Sequence, residues 1–428
     1  MYIHERPDWP ELSINHWAKV TIELAEAQRQ IGVLEGRLSL LDVDSGAQAQ
    51  LEVLAEDAIE TSLIEGERLS REDVRSSLAK RLGLQSGLLT PREQAVDGIV
   101  QIMLDATRNA SAPITHERLH GWHAALFPSG HSGRHPITVA DYRSGANGPM
   151  QVVSGAIGRE RVHFEAPSAH RVPAEMDRFL DWLQGPGSGN AILDAGQAHL
   201  WFLTIHPYED GNGRIARAIS DAILTRAADQ PGQRWYSVSA AISASKKDYY
   251  KALESQQRSD TNITPWQAYF IQTVSRAADM AHDTVAQVLR RSAWLATADR
   301  LGINDRQRSV ARRMLEPDWE GLMSSSKYAG LARCSQDTAT RDLKSLVALG
   351  LFEQGGKGGR STSYAPVEHA PQARSQKPST PQPASSAPSG NTMRGGSAIS
   401  GDAPCCGQPP RASYSPRCRR RFMSGHAH

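Results

Sequence analysis

The chain is predicted to be mainly α-helical, with one β-hairpin in the middle and a small module of three helices and a strand–loop–strand near the end. Three observations predict this. Apolar residues recur at three- and four-residue steps over residues 16–42, the run from Ala191 to Ile205 is apolar nearly all round, and residues 305–364 change to short helical patterns closed by a glycine-rich strand pair.

The first helical pattern places Trp17, Val20, Leu24, Ala27, Ile31, Leu34 and Leu38 on one face, after the lead-in Pro7-Asp8-Trp9-Pro10. A second helix is expected over 47–65, with Gly66 where a C-terminal cap commonly stands, and Ser70 with Asp73 three residues on marks another helix start. Helices are expected again from Pro91 to about Ala125, broken near Ser111–Pro113. Residues 150–164 read as a hairpin with its turn at Gly155–Gly158, and Glu175–Leu183 as a short helix ended by the loop 185–189. Ala191–Ile205 is then a buried helix. The next one carries Ile215, Ala218, Ile219, Ala222 and Ile223 on one face and Arg214 and Arg217 on another, and further helices follow through Trp294.

These patterns divide the chain into a helical domain over 1–90, a core over 91–295, a module over 300–366 and a tail over 367–428. At 428 residues, two or three domains are expected. A composition of 39% hydrophobic and 22% charged residues fits a globular protein. No run approaches the ~18 apolar residues needed to cross a bilayer, and MYIHERPDWPELS has neither a basic start nor an apolar stretch, so no membrane association is expected and the predicted location is the cytoplasm. Cys334, Cys405, Cys406 and Cys418 give no disulfide framework, and the last three lack the paired spacing of a zinc site. The net charge of +2 hides an asymmetry, because residues 367–428 hold eight Lys or Arg against Glu368 and Asp402. That tail carries nine of the 24 prolines and is expected to be disordered.

The residues richest in chemistry are 206–217, HPYEDGNGRIAR. A buried helix ends at His206-Pro207, and Gly211-Asn212-Gly213 leads straight into a new helix. Backbone N–H groups at such a turn make an anion nest that the helix dipole reinforces. Asp210 adds a carboxylate suited to a Mg²⁺ that already carries phosphate oxygens. Arg214 and Arg217, on adjacent turns of one face, add forks for further phosphates. His206 has the only side chain here that titrates near neutrality, which makes it the natural general base for a hydroxyl attacking phosphorus.

The segment closely resembles the Fic family signature: His-Pro-Phe, a variable residue, Asp or Glu, Gly-Asn-Gly-Arg, two variable residues and Arg. Only Tyr208 departs, keeping an aromatic ring. The resemblance implies a Fic-type helical core in which His206 deprotonates a target hydroxyl, Asp210 binds Mg²⁺, Gly211, Asn212 and Gly213 hold the α- and β-phosphates of ATP, and Arg214 and Arg217 reach the outer phosphates. Under it, the hairpin at 150–164 resembles the family's flap, which pairs with the target segment as an added strand. Tyr249 and Tyr250 fall where family members place residues near the adenine, although a tyrosine pair on a helix is also a common core feature. The part from Trp9 to Leu41 is similar to a helical domain of unknown role found ahead of some Fic cores.

Thr61-Ser62-Leu63-Ile64-Glu65-Gly66 matches the family's inhibitory motif, with Thr61 and Glu65 one helical turn apart. The resemblance implies that Glu65 pairs with Arg217 and denies it to the γ-phosphate, within one chain or across a homodimer. In some relatives the corresponding glutamate supports removal of AMP.

Residues 305–364 read as a winged helix-turn-helix, with helices over Arg306–Leu315, Ser326–Arg333 and Gln336–Leu349 and a wing carrying Lys357 and Arg360. Thr338, Arg341 and Lys344 on the exposed face of the third helix are candidate DNA contacts, and docking or dimerisation is the alternative. The function expected is thus an auto-inhibited AMP transferase acting on a Ser, Thr or Tyr hydroxyl of an unidentified target protein, its own chain included, with pyrophosphate released. The alternatives are a DNA-binding regulator with a nucleotide-sensing core, a transferase using another nucleotide donor, and an AMP-removing enzyme.

Overall fold

The fold is that of a computed structural model describing residues 1–367, apart from 40, 42, 85–89, 91, 94–95, 155–160, 229–233, 317–318 and 356–361. The predicted flap turn, the wing residues Lys357 and Arg360 and the tail from 368 onward lie outside the described residues.

The N-terminal part is built from α1 (Trp17–Leu38), α2 (Val43–Ile64) and α3 (Arg71–Arg81). Val20, Ala27, Leu34 and Leu38 face inward as their spacing requires, whereas Trp17, in the first turn of α1, is 52% exposed. The Ser70 hydroxyl accepts the Asp73 amide at 3.3 Å, which caps α3 at the expected place. The middle of the chain supplies α4 (Asp97–Arg108), α5 (His116–Leu126), a two-residue ladder of β1 (His131–Ser132) and β2 (His135–Pro136), and the hairpin β3 (Gln151–Ser154) and β4 (Arg161–Glu165). Helices α6 (Val172–Gln184), α7 (Ala191–Ile205), α8 (Asn212–Arg226), α9 (Val238–Ala244), α10 (Lys246–Gln257) and α11 (Thr264–Arg300) follow. Helix α6 begins three residues before its predicted start because Pro173 fits the first turn, where its missing N–H costs nothing. The further helices expected up to Trp294 are α9, α10 and α11, the last of which runs on to Arg300, its 37 residues extending roughly 55 Å.

Helix α7 is enclosed: Leu200, Phe202 and Ile205 are fully buried, and it packs along α8, with α11 and α6 on its other sides. Trp201 stacks edge-on against Trp9, whose indole N–H reaches Glu175 on α6 at 2.9 Å. The lead-in before α1 is therefore built into the core. Helix α2 lies against α3, α4, α8, α9 and α11. Its tie to α8 is a buried cluster in which Arg234 reaches Asp57 at 3.1 Å and Asp221 at 3.0 Å, while Ser237 donates to Asp57.

After α11 come α12 (Asp305–Met314), α13 (Ser325–Ala332) and α14 (Gln336–Ala348), then β5 (Phe352–Gly355) paired antiparallel with β6 (Ser363–Pro366). Their core joins Val310, Tyr328, Leu343, Leu346, Phe352 and Tyr364, and it includes Trp294 and Ala298 from the end of α11. Two residues ahead of 300 therefore help to complete it.

Candidate active site

Helix α7 stops because His206 turns into the left-handed region at φ 52° and ψ 59°, a conformation that costs a non-glycine residue on the order of 1 kcal/mol. The loop that follows is folded by Asn212, whose side chain accepts the Tyr208 amide at 3.0 Å and donates to the Tyr208 carbonyl at 2.8 Å. Asn212 thus offers an anion only its backbone N–H. Gly211, at φ 81°, precedes α8, and a Cβ there would lie 2.9 Å from the Phe127 ring, so both backbone and packing require glycine. The amides of the first turn of α8 have no intrahelical partner, which leaves them directed at the mouth of the loop.

A carboxylate already sits over that mouth. The Glu65 Oε1 atom lies 2.6 Å from Arg217 Nη2, and a Cβ on Gly213 would come within 2.3 Å of the same oxygen. Arg217 is 2% exposed and also donates through Nε to the Thr61 hydroxyl at 2.7 Å and through Nη2 to the Thr61 carbonyl at 3.1 Å. The one-turn spacing of Thr61 and Glu65 on α2 gives Arg217 a three-point cradle. Burial alone would weaken the Arg217 charge, but Glu65 reverses this and holds the guanidinium more firmly protonated than usual. Arg214 is also occupied: Glu67 lies 3.1 Å from its Nη1, and its guanidinium stands over the Phe127 ring at 5.2 Å. The C-terminus of α2 is tied down by Lys246, which donates to the Ile64 carbonyl.

The His206 Nδ1 atom lies 3.3 Å from the Leu203 carbonyl. A carbonyl can only accept, so this contact places the proton on Nδ1 and the lone pair on Nε2. Burial pushes the imidazole down to about 4, against the opposing influence of the Leu203 carbonyl, with Arg143 adding to the fall and Glu65 and Asp210 resisting it. His206 is therefore neutral at physiological pH and able to accept a proton. Burial likewise pushes His123 down to about 4 and His199 to about 3, Arg217 adding to the latter. Each folded value lies below that of a free imidazole, so the unfolded chain binds more protons as the pH falls from about 6.5 towards 4. The melting temperature is expected to decline progressively across that window, and a flat calorimetric profile between pH 7 and 4.5 would contradict these assignments.

The sequence from 113 to 224 matches the family model described as Fic/DOC family. Residues 113–224 form a Fic/DOC domain. A separate model, a domain of unknown function (DUF4172), matches residues 2–84, the part that carries Thr61 and Glu65. The chain is 30% identical over 151 residues to the protein adenylyltransferase Fic of Nematostella vectensis, an alignment spanning 35% of this chain and 30% of that relative. The chain thus spans less than a third of the length of the curated relative it matches. Among solved structures, a Fic family protein from Desulfovibrio desulfuricans G20 aligns at 20% identity and a TM-score of 0.47, covering 82% of this chain and 97% of that one. A Fic domain containing signaling protein from Bacteroides thetaiotaomicron aligns at 17% identity and a TM-score of 0.44, over 63% of this chain and 98% of that one.

Within the Fic/DOC domain, Asp210 stands half-buried beside the glycine loop, accepting the Ser132 hydroxyl and the Gly211 amide. Ser132 belongs to the short β1–β2 ladder, whose two-residue strands carry no readable periodicity. Tyr208, the residue that departs from the family signature, is stacked on His123 at 4.2 Å with its hydroxyl 3.2 Å from His120 Nδ1. Tyr208→Phe is expected to cost only about 1 kcal/mol, because His120 is partly open to water and can exchange its partner. Tyr249 is buried with its hydroxyl 2.9 Å from His199 Nε2, whereas Tyr250 is 41% exposed and lies under the Lys246 ammonium. In the hairpin, β4 is fastened to α10 through Arg258, which donates to the carbonyls of Val162 and His163, and through a His163–Glu254 contact of 2.8 Å. Strand β3 pairs only with β4 among the described residues. Its other edge is the one available to a further strand.

Glu67 and Arg143 carry no signal in the sequence. Glu67 falls one residue beyond the six-residue motif, and Arg143 lies in a loop without periodicity.

Proposed function

We propose that the Fic/DOC domain transfers AMP from ATP to a protein hydroxyl and that Glu65 holds this activity off. The observation that carries the reading is the 2.6 Å pair between Glu65 and Arg217, poised over the glycine loop. A carboxylate held there takes the place that a terminal phosphate needs, and it repels that phosphate as well.

In the active arrangement Glu65 leaves, and the triphosphate settles on the amides at the start of α8, with Arg214 and Arg217 on its outer phosphates. Asp210 offers the single carboxylate that a Mg²⁺ carrying phosphate oxygens and waters requires, and such an ion would neutralise charge on the leaving pyrophosphate. An acceptor segment added along β3 places its hydroxyl near His206. His206 Nε2 takes the hydroxyl proton, the acceptor oxygen forms a bond to the α-phosphorus, and the bond from the α-phosphorus to the bridging oxygen breaks to release pyrophosphate. The Glu65–Arg217 pair forms within one chain, so inhibition in this reading needs no second copy.

The experiment is a donor screen on Glu65→Gly protein with isotope-labelled ATP, UTP, GTP and CDP-choline, Mg²⁺ and lysate. Protein-bound label is expected from ATP alone and is expected to vanish in the Glu65→Gly, His206→Ala double variant. Label from a different donor would replace AMP transfer with another transfer, and no label from any would overturn the reading.

We read residues 305–364 as a winged helix-turn-helix, and a DNA-binding role for it is a second reading. Arg341 and Lys344 are exposed on α14, which Ser335 caps directly after the left-handed turn at Arg333. If these cations meet phosphates, replacing both by alanine lowers the salt dependence of duplex binding by about two ions. Fluorescence anisotropy of the full chain with a labelled duplex measures this, and no binding at low salt would remove the DNA role.

A further inference from the structure

Arg143 is 5% exposed, yet every hydrogen bond of its guanidinium goes to a main-chain carbonyl. Its Nε donates to His206 O at 2.8 Å, and its Nη2 donates to Pro167 O at 2.5 Å and to Ile205 O at 3.4 Å. The Arg143 amide donates to Pro207 O at 2.9 Å. No carboxylate lies within ion-pair distance of it among the described residues. A buried cation without a counter-ion is expensive, and this one is offset by the carbonyl dipoles at the C-terminal end of α7 and by the Pro167 carbonyl. Burial pulls the guanidinium down to about 10, which still leaves it charged at neutral pH.

The acceptors reveal what the charge secures. Ile205, His206 and Pro207 are consecutive residues at the joint where His206 adopts its left-handed backbone. Pro167 lies two residues beyond β4, at the root of the hairpin. One planar, forked side chain therefore binds the base's backbone and the hairpin's root together.

We propose that Arg143 is the positioning residue of this site, fixing the distance between the His206 imidazole and the strand that presents the acceptor hydroxyl. The inference rests on the transferase reading of the site. Its chemistry is specific to a guanidinium: a lysine ammonium is a point charge, and it cannot span the carbonyls of His206 and Pro167 in one plane. Without Arg143 the strained joint relaxes and the base retreats, while the phosphate nest, built on α8, is unchanged. Turnover should fall much more than ATP affinity.

The test is carried out in full-length Glu65→Gly protein, with Arg143→Ala and Arg143→Lys added separately. Arg143→Ala is expected to lower kcat on the order of 100-fold and to leave the KM for ATP within about twofold, since misplacement of a reacting group acts on the chemical step. Arg143→Lys is expected to lie in between, and added guanidinium ion is expected to restore part of the activity of the alanine variant. Alongside turnover, the His206 ring is titrated by NMR. The charged groups facing it are Arg143 from the loop before β3, Glu65 from α2, absent in this background, and Asp210 from its own loop. Loss of the Arg143 cation is expected to raise the His206 midpoint. An unchanged kcat would overturn the proposal, as would losses of kcat and ATP affinity in parallel with no response to guanidinium and an unmoved His206 titration. If the Glu65→Gly parent itself transfers no AMP, the transferase reading fails by that result alone, and the titration still reports whether Arg143 governs His206. Should the alanine variant not fold, the lysine variant supplies the turnover readout and Arg143→Gln, which lacks the cation, supplies the titration.

Discussion

Arg234→Met is expected to destabilise the protein by about 3–5 kcal/mol, the usual effect of removing one partner from a buried ion cluster, and to lower the melting temperature by on the order of 10 °C. Arg234 is 3% exposed and lies between Asp57 of α2 and Asp221 of α8. Burial pushes Asp57 up, but Arg234 and Ser237 outweigh this and hold it below the usual carboxylate range. Asp221 goes the other way: burial, with the neighbouring Asp57 charge adding to it, pushes it well above its ordinary value. The cluster is thus an Asp57 held ionised by Arg234 beside an Asp221 whose carboxyl is pushed towards its protonated form. Methionine fills the arginine's volume but leaves Asp57 charged and unpaired. Adding Asp57→Asn to Arg234→Met is expected to recover part of the loss, and calorimetry of the single and double variants measures the coupling. An effect below 1 kcal/mol for the single variant would mean that α2 is held to α8 by apolar packing alone.

The largest expected effect on activity belongs to His206→Ala in the Glu65→Gly background, a fall of about 10²–10⁴-fold in AMP incorporation, the usual contribution of a positioned general base. ATP binding is expected to persist, because the nest belongs to α8 and the arginines rather than to the imidazole. Isothermal titration with the nucleotide and Mg²⁺ separates the two. Loss of both binding and transfer would point to a collapsed loop, and retained transfer would remove His206 as the base.

Much of this was legible in the sequence, for identifiable reasons. Helix α7 occupies the predicted residues because a run apolar nearly all round between Asn190 and His206 has one stable placement, and the cap at Ser70 is where a hydroxyl three residues before an acidic side chain belongs. Thr61, Glu65 and Arg217 meet as the two short motifs imply. Contacts made by isolated polar residues from irregular segments were not legible. Ser132 sits on a two-residue strand, Glu67 lies just beyond a motif, and Arg143 and Arg234 come from loops whose paths tertiary packing decides. Helix α11 runs six residues past Trp294 because its buried face passes from one core to another, Val285 and Val288 facing the first and Trp294 and Ala298 the second.

In the proposed function, Glu65 keeps Arg217 from a phosphate and so keeps the site off. Intact-mass spectrometry of wild-type and Glu65→Gly protein, incubated side by side with ATP and Mg²⁺, tests it most directly through self-modification. Freeing a buried arginine from its carboxylate partner is worth a few kcal/mol of binding geometry, so at least about a tenfold gain in AMP-bearing protein is expected in the variant. Equal modification of the two proteins would contradict it.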